Sequence, residues 1–165
     1  MDYQTEFGSI TFIHDNHLVY EVILPNNNNK NINLKSVIKG YKLHELPDQK
    51  LGNLKSELDD YFSGEQVEFS TPTALTEVPP FTEKVQYIIK NLKWGETASY
   101  GQIARWAGNP NGARAVGQAM SKNPCPLLVP CHRVIANNNK LGGFSSMIEL
   151  KKWLLRIEGV NLLEG

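Results

Sequence analysis

Cysteine is scarce in this chain: Cys125 and Cys131 are the only two among 165 residues. They lie six positions apart beside prolines, which argues against a disulfide framework and for a reducing, cytoplasmic setting. Long apolar runs are missing as well. No stretch approaches the roughly 20 residues that span a bilayer, and the mixed, polar N-terminus has no secretory pattern. Net charge is also absent, since 17 Lys and Arg balance 17 Asp and Glu. That zero hides an asymmetry. Residues 1–80 carry six Lys against twelve Asp or Glu, a balance of −6, whereas residues 81–165 carry eleven Lys or Arg against five Glu, a balance of +6, and no Asp. A basic half fits a polyanionic partner, and an acidic half does not.

The length accommodates one ordinary domain or two small ones. Ile10-Thr11-Phe12 and the run Leu18 to Leu24 alternate as two strands, with Asp15-Asn16 as the turn. Pro25 to Lys30 reads as a loop, and Ile32 to Ile38 as a strand or a short helix. Between Pro47 and Phe62, the residues Leu51, Leu54, Leu58, Tyr61 and Phe62 form a helical stripe that Gly64 would cap. Val67 and Phe69 suggest one more strand. Residues 1–70 therefore read as a small α/β unit with nothing catalytic in it. Three prolines make residues 71–80 the expected linker.

Residues 81–165 read as a second, mainly helical unit. Thr82 is the expected cap of a helix whose stripe is Val85, Ile88, Ile89 and Leu92. Ser99 and Gln102 fit a capping box that opens a helix with Ile103, Trp106 and Ala107 inward and Gly108 at its end. A short turn leads to a helix around Ala113 to Met120, completing a helix-turn-helix. That last helix carries Ala113, Ala115, Gly117 and Ala119, with bulk only at Arg114 and Gln118 among its polar positions. Such a helix suits close packing in a core, or close approach to a groove too narrow for side chains.

The chemistry-bearing stretch is Pro130-Cys131-His132-Arg133-Val134, set among Leu127, Leu128, Val129 and Ile135. A buried lone thiol is normally an inert small hydrophobe. An adjacent cation or imidazole instead favours the thiolate, which is the nucleophile. Two readings stand at this point: a core segment whose thiol merely packs, or a nucleophile beside its base.

Around this stretch lie Asn109-Pro110-Asn111-Gly112-Ala113-Arg114-Ala115-Val116-Gly117-Gln118-Ala119-Met120 and Asn123-Pro124-Cys125-Pro126. Downstream come Gly142-Gly143-Phe144-Ser145-Ser146, Lys152-Trp153-Leu154-Leu155 and Ile157-Glu158-Gly159. In that order and spacing, the second half of the chain resembles the O6-alkylguanine-DNA alkyltransferases, also called methylated-DNA–protein-cysteine methyltransferases. The resemblance implies an α+β protein. A ribonuclease-H-like N-terminal unit with an antiparallel sheet would precede a winged-helix-like unit carrying the helix-turn-helix.

It also implies a direct-reversal repair reaction on double-stranded DNA containing O6-alkylguanine. Cys131 would accept the alkyl group in a single turnover, His132 would act as base through a water, and Glu158 would fix the tautomer. Tyr100 matches the suggested proton donor. Arg114 would fill the stack once the base is flipped from the minor groove, lined by Ala113, Ala115 and Gly117. Val134 and Ser145 match groups that read the guanine edge, and Asn123 matches a tie between the Cys131 segment and the recognition helix. Arg133 is expected to be structural. No cofactor and no zinc are expected, and the protein is expected to be a monomer off the membrane.

Phe144 and Ser146-Met147 depart from the family pattern, where tyrosine and small glycines are common. A related class that binds alkylated DNA without transfer has tryptophan at the nucleophile position. A winged-helix regulator would leave Cys131, His132 and Glu158 unused, and a cysteine hydrolase would lack an evident oxyanion hole.

Overall fold

The computed structural model describes residues 1–25, 53–74, 77–142 and 148–162. Its first layer is an antiparallel sheet of β1 (Asp2–Thr5), β2 (Gly8–His14) and β3 (Val19–Ile23), in that spatial order. Alternation along β2 puts Ile10 and Phe12 in the core, as a period of two demands. The expected turn is built by Asp15, whose Oδ1 accepts from the backbone N–H groups of His17 and Leu18 at 2.7 and 2.9 Å. Tyr20 secures it by donating its hydroxyl to Asp15 Oδ2 at 2.6 Å.

Helix α1 (Leu54–Ser63) buries Leu54, Leu58 and Tyr61. It ends at Gly64, whose φ of 91° is the left-handed conformation that glycine adopts without steric cost. The start of the stripe at Leu51, the 32–38 segment and the loop beyond Pro25 lie outside the described residues. Val67 and Phe69 form no strand. Their segment is held instead by the Glu57 carboxylate, which accepts from the Ser70 backbone and hydroxyl and from the Thr71 hydroxyl.

The expected linker is partly a packed element. Thr71 and Ala74 are buried, and Thr73 bridges Val19 in parallel through Val19 N–H to Pro72 C=O and Ala74 N–H to Val19 C=O. Buried backbone groups need partners, and Pro72 contributes the carbonyl, which its ring leaves intact.

Helix α2 (Pro80–Lys90) starts two residues before Thr82, which sits buried in the first turn and makes no cap. Proline at the first helical position needs no N–H partner, so Pro80 opens the helix without a side-chain cap. The capping box is present as expected at α3 (Tyr100–Trp106), with Gln102 N–H on Ser99 Oγ and Ser99 N–H on Gln102 Oε1. Trp106, expected inward, is 56% exposed, and Ile103, Ala104 and Ala107 fill the core instead. Helix α4 (Ala113–Ser121) follows a turn through Gly108, and α3 and α4 pack together as the helix-turn-helix. Short strands β4 (Ala98–Ser99) and β5 (Val134–Ile135) pair in parallel, and α5 (Ile148–Ile157) closes the unit. The whole is α+β.

Candidate active site and nucleic-acid interface

Local backbone places Cys131 at a bend. Leu127 adopts a positive φ of 75°, which folds residues 125–129 into a tight turn closed by Val129 N–H on Cys125 C=O at 2.8 Å. Asn123 braces that turn, accepting from Cys125 N–H and donating to Val129 C=O, both at 3.0 Å. Cys131 then opens a single 3-10 turn, Cys131–Arg133, that leads into β5. Because β5 pairs with β4, the first residue of α3, Tyr100, is delivered to the same place.

Cys131, His132, Arg133 and Glu158 are all buried. Glu158 is the hub. Its Oε1 accepts from His132 Nε2 at 2.7 Å, from Tyr61 Oη at 2.7 Å and from Arg133 Nη2 at 3.0 Å. Its Oε2 accepts from Arg133 Nε at 2.8 Å and from Gly95 N–H at 3.4 Å. Burial pushes this carboxyl up, but the hydrogen bonds from His132 and Arg133, together with the Arg133 charge, overcome it and hold the group at about 2. An ionised carboxylate only accepts, so the network assigns the hydrogen to His132 Nε2 and the lone pair to Nδ1. Nδ1 is buried and has no hydrogen-bond partner among the described residues. Burial lowers the His132 pKa, outweighing the pull of Glu158, and Arg133 and Lys151 lower it further. The ring is therefore neutral.

The thiol is also neutral at rest. Burial raises the Cys131 pKa, and the lowering effects of Asn123, the Lys151 ammonium and the local backbone N–H groups do not offset it. The adjacent imidazole does not by itself make a resting thiolate, since desolvation penalises the charged form more. At rest the proton therefore stays on the sulfur, while His132 Nδ1 carries a lone pair.

Arg133 is structural, as expected. Besides its two bonds to Glu158 it donates through Nη1 to the Leu92 carbonyl at the end of α2. The Val134 carbonyl accepts from Lys151 Nζ at 2.6 Å, which leaves its second lone pair for another donor. Burial brings Lys151 down to about 8, with Cys131 opposing. Ser145, together with Phe144, Ser146 and Met147, lies outside the described residues.

Tyr100 is half-buried between two glycines. A Cβ on Gly117 of α4 would reach its ring at 3.9 Å, and one on Gly142 at 3.1 Å. Burial and the nearby Cys131 raise its pKa, which keeps the phenol protonated. On α4 only Val116 and Ala119 are core residues. Ala113, Arg114 and Gln118 are exposed, and Ala115 and Gly117 are half-exposed, so a nearly bulk-free face with one guanidinium meets solvent. The small residues of the helix are mostly surface, and they suit close approach to a narrow groove.

Two residues of the site escaped the sequence. Tyr61 was part of an apolar stripe in a half that offered nothing catalytic, and no local signal marks its hydroxyl. Lys151 is fully buried on α5. Its position beside Leu150, three and four residues before Leu154 and Leu155, was the available clue.

Comparison with known proteins identifies the family. Residues 80–160 match the family described as 6-O-methylguanine DNA methyltransferase, DNA binding domain, and residues 3–75 match its ribonuclease-like domain. A methylated-DNA–protein-cysteine methyltransferase of Methanosarcina acetivorans is 41% identical over 128 residues, 74% of this chain and 81% of that protein. The constitutive enzyme of Bacillus subtilis is 38% identical over 134 residues, 81% of this chain and 79% of its own. The crystal structure of Mycobacterium tuberculosis OGT in complex with DNA superposes with a TM-score of 0.77 at 30% identity, covering 96% of this chain and 91% of that one. The chain belongs to the methylated-DNA–protein-cysteine methyltransferases, the O6-alkylguanine-DNA alkyltransferase family of direct-reversal DNA repair.

Proposed function

We propose that this protein binds double-stranded DNA through the bare face of α4, rotates an O6-alkylguanine out of the stack and transfers its alkyl group to Cys131. The single observation that carries the assignment is the buried Cys131–His132–Glu158 arrangement, in which a neutral thiol neighbours an imidazole whose tautomer is fixed by a carboxylate. Arg114, exposed on the face of α4, fills the space that the flipped base leaves, at an unstacking cost of about a few kcal/mol.

His132 Nδ1 takes the Cys131 proton through a water. The thiolate sulfur then forms a bond to the alkyl carbon while the carbon–O6 bond breaks, its electron pair passing to the guanine. Tyr100 supplies the proton that the leaving guanine needs, and the proton held on His132 restores the phenol. The balance is redox-neutral and moves one alkyl group, so a thiol, a base and an acid suffice. A thioether does not revert to a thiol under these conditions, so each molecule acts once. The Val134 carbonyl and the Ser145 backbone read the guanine edge. The protein acts as a monomer in the cytoplasm, where both free thiols stay reduced.

The test is peptide mass after incubation with duplex DNA containing O6-methylguanine. A gain of about one methylene is expected on the Cys131 peptide. Cys131→Ser should abolish transfer and keep DNA binding, whereas Cys125→Ser should transfer normally. Burial and Glu21 push the Cys125 thiol up to about 12, and its Sγ rests near the Val19 and Tyr20 carbonyls at 3.7 and 3.6 Å. Alkyl found on Cys125 would overturn the assignment.

A further inference from the structure

The N-terminal unit reaches into the active site at one atom. Tyr61, on α1, donates its hydroxyl to Glu158 Oε1 at 2.7 Å across 97 residues of chain, and the Tyr61 hydroxyl oxygen lies 3.5 Å from His132 Nε2. We propose that Tyr61 is a positioning residue for the transfer reaction: its hydroxyl holds the Glu158 carboxylate in the plane that orients His132 and moderates that carboxylate's pull on the imidazole. The inference rests on the assignment of His132 as base in the proposed function.

The phenol is built to be fixed. Its ring is buried and surrounded by Phe62, Phe69 and Trp94, at centroid distances of 5.2, 5.4 and 5.2 Å. Phe62 and Phe69 come from the N-terminal unit and Trp94 from the C-terminal one, so the hydroxyl is clamped from both sides of the boundary between the units. A ring that served packing alone could be phenylalanine. A buried hydroxyl aimed at a buried carboxylate does more, because each donor on a carboxylate disperses its negative charge. Burial and the Glu158 charge hold the phenol protonated, so it remains a donor throughout the working pH range.

The direction of its effect follows. With the Tyr61 hydroxyl in place, Glu158 Oε1 shares its charge among three donors, His132 Nε2–H being one. Without it, the carboxylate attracts a proton on the imidazole more strongly, and the ring protonates at higher pH. The protonated ring cannot accept the Cys131 proton. Loss of the hydroxyl also frees the carboxylate to rotate toward Arg133, which loosens the orientation of His132.

The experiment measures the rate constant for methyl transfer from O6-methylguanine duplex DNA as a function of pH, with full-length protein in excess. In Tyr61→Phe the rate at neutral pH should fall about ten-fold, and the acid limb should move to higher pH by about half a unit or more. Specific incorporation of 3-fluorotyrosine at position 61 keeps the ring, strengthens the donor and should move the limb the other way, to lower pH. Tyr20→Phe is the matched control. It too removes a buried phenol that donates to a carboxylate, Asp15, in the same unit but away from the site. It should lower the unfolding temperature and leave the pH profile in place.

A Tyr61→Phe profile that superposes on the wild type, or a rate loss without a moved limb, overturns the inference. His132→Gln separates this failure from that of the parent reading. If His132→Gln transfers at the wild-type rate with the same acid limb, His132 is not the base and both fall. If the limb vanishes in His132→Gln but stays put in Tyr61→Phe, only the role of Tyr61 is lost.

Discussion

Replacing Glu158 by glutamine should damage stability and reaction together, because one carboxylate serves both. Its side chain is fully buried, and it is the only anionic partner of Arg133 among the described residues. Glutamine conserves volume but removes the charge and turns one of the two acceptor atoms into a donor. If its oxygen keeps His132 and Tyr61, its amide nitrogen faces Arg133 Nε, donor against donor. Arg133 is then a buried cation whose acceptors are only neutral, the amide oxygen and the Leu92 carbonyl. Breaking a buried pair on one side typically costs about 3–5 kcal/mol. For a chain of this length each kcal/mol moves the unfolding temperature by about 2–4 °C, so the fall should be roughly 6 to 20 °C. Transfer should slow by about two orders of magnitude or more, the usual share of a positioned general base. Thermal unfolding by circular dichroism and single-turnover transfer on the same preparation check both. An unfolding temperature within about 2 °C of wild type would refute the claim that Glu158 compensates a buried Arg133. An unchanged transfer rate would refute its hold on His132.

Acid should destabilise the protein in two stages. His132 has a lowered folded pKa, so the unfolded chain takes up a proton as pH falls through about 6.5 while the native ring stays neutral, and stability drops there. Glu158, held at about 2 against an ordinary 4.5, contributes stability that is complete above about 4.5 and is lost toward pH 2, on the order of 3 kcal/mol. Urea midpoints measured from pH 7 to pH 3 should fall throughout, and a flat line would contradict both signs. Arg114→Ala should impair transfer from duplex DNA far more than transfer from the free base O6-benzylguanine, since a stack exists only in the duplex, and equal losses would place Arg114 in the chemistry or the fold. Methylated protein should melt several degrees lower than the free form. Cys131 is only 6% exposed, and one extra methyl in a filled site costs about 1–3 kcal/mol. An unchanged melting temperature would mean that the pocket has room to spare.

What the sequence determined by itself is what depends on near neighbours. The Asp15 turn, the Gly64 cap and the Ser99–Gln102 box were legible because each is a contact within a few residues, governed by backbone preference and side-chain reach. That Cys131 and His132 share one buried turn was legible because they are adjacent. The role of Glu158 came only through resemblance to a family, since no local pattern links it to a histidine 26 residues earlier. Tertiary packing decided the rest. It buried Lys151 on the Val134 carbonyl, exposed Trp106, docked Thr71–Ala74 on β3 and started α2 at Pro80 rather than at Thr82. Above all it carried the Tyr61 hydroxyl across the molecule to Glu158. Periodicity reports which side of a helix is buried, but not what the buried atoms meet. That depends on how the two halves are pressed together, where a phenol read as core becomes a hydrogen-bond donor once a carboxylate from the other half is brought within 2.7 Å.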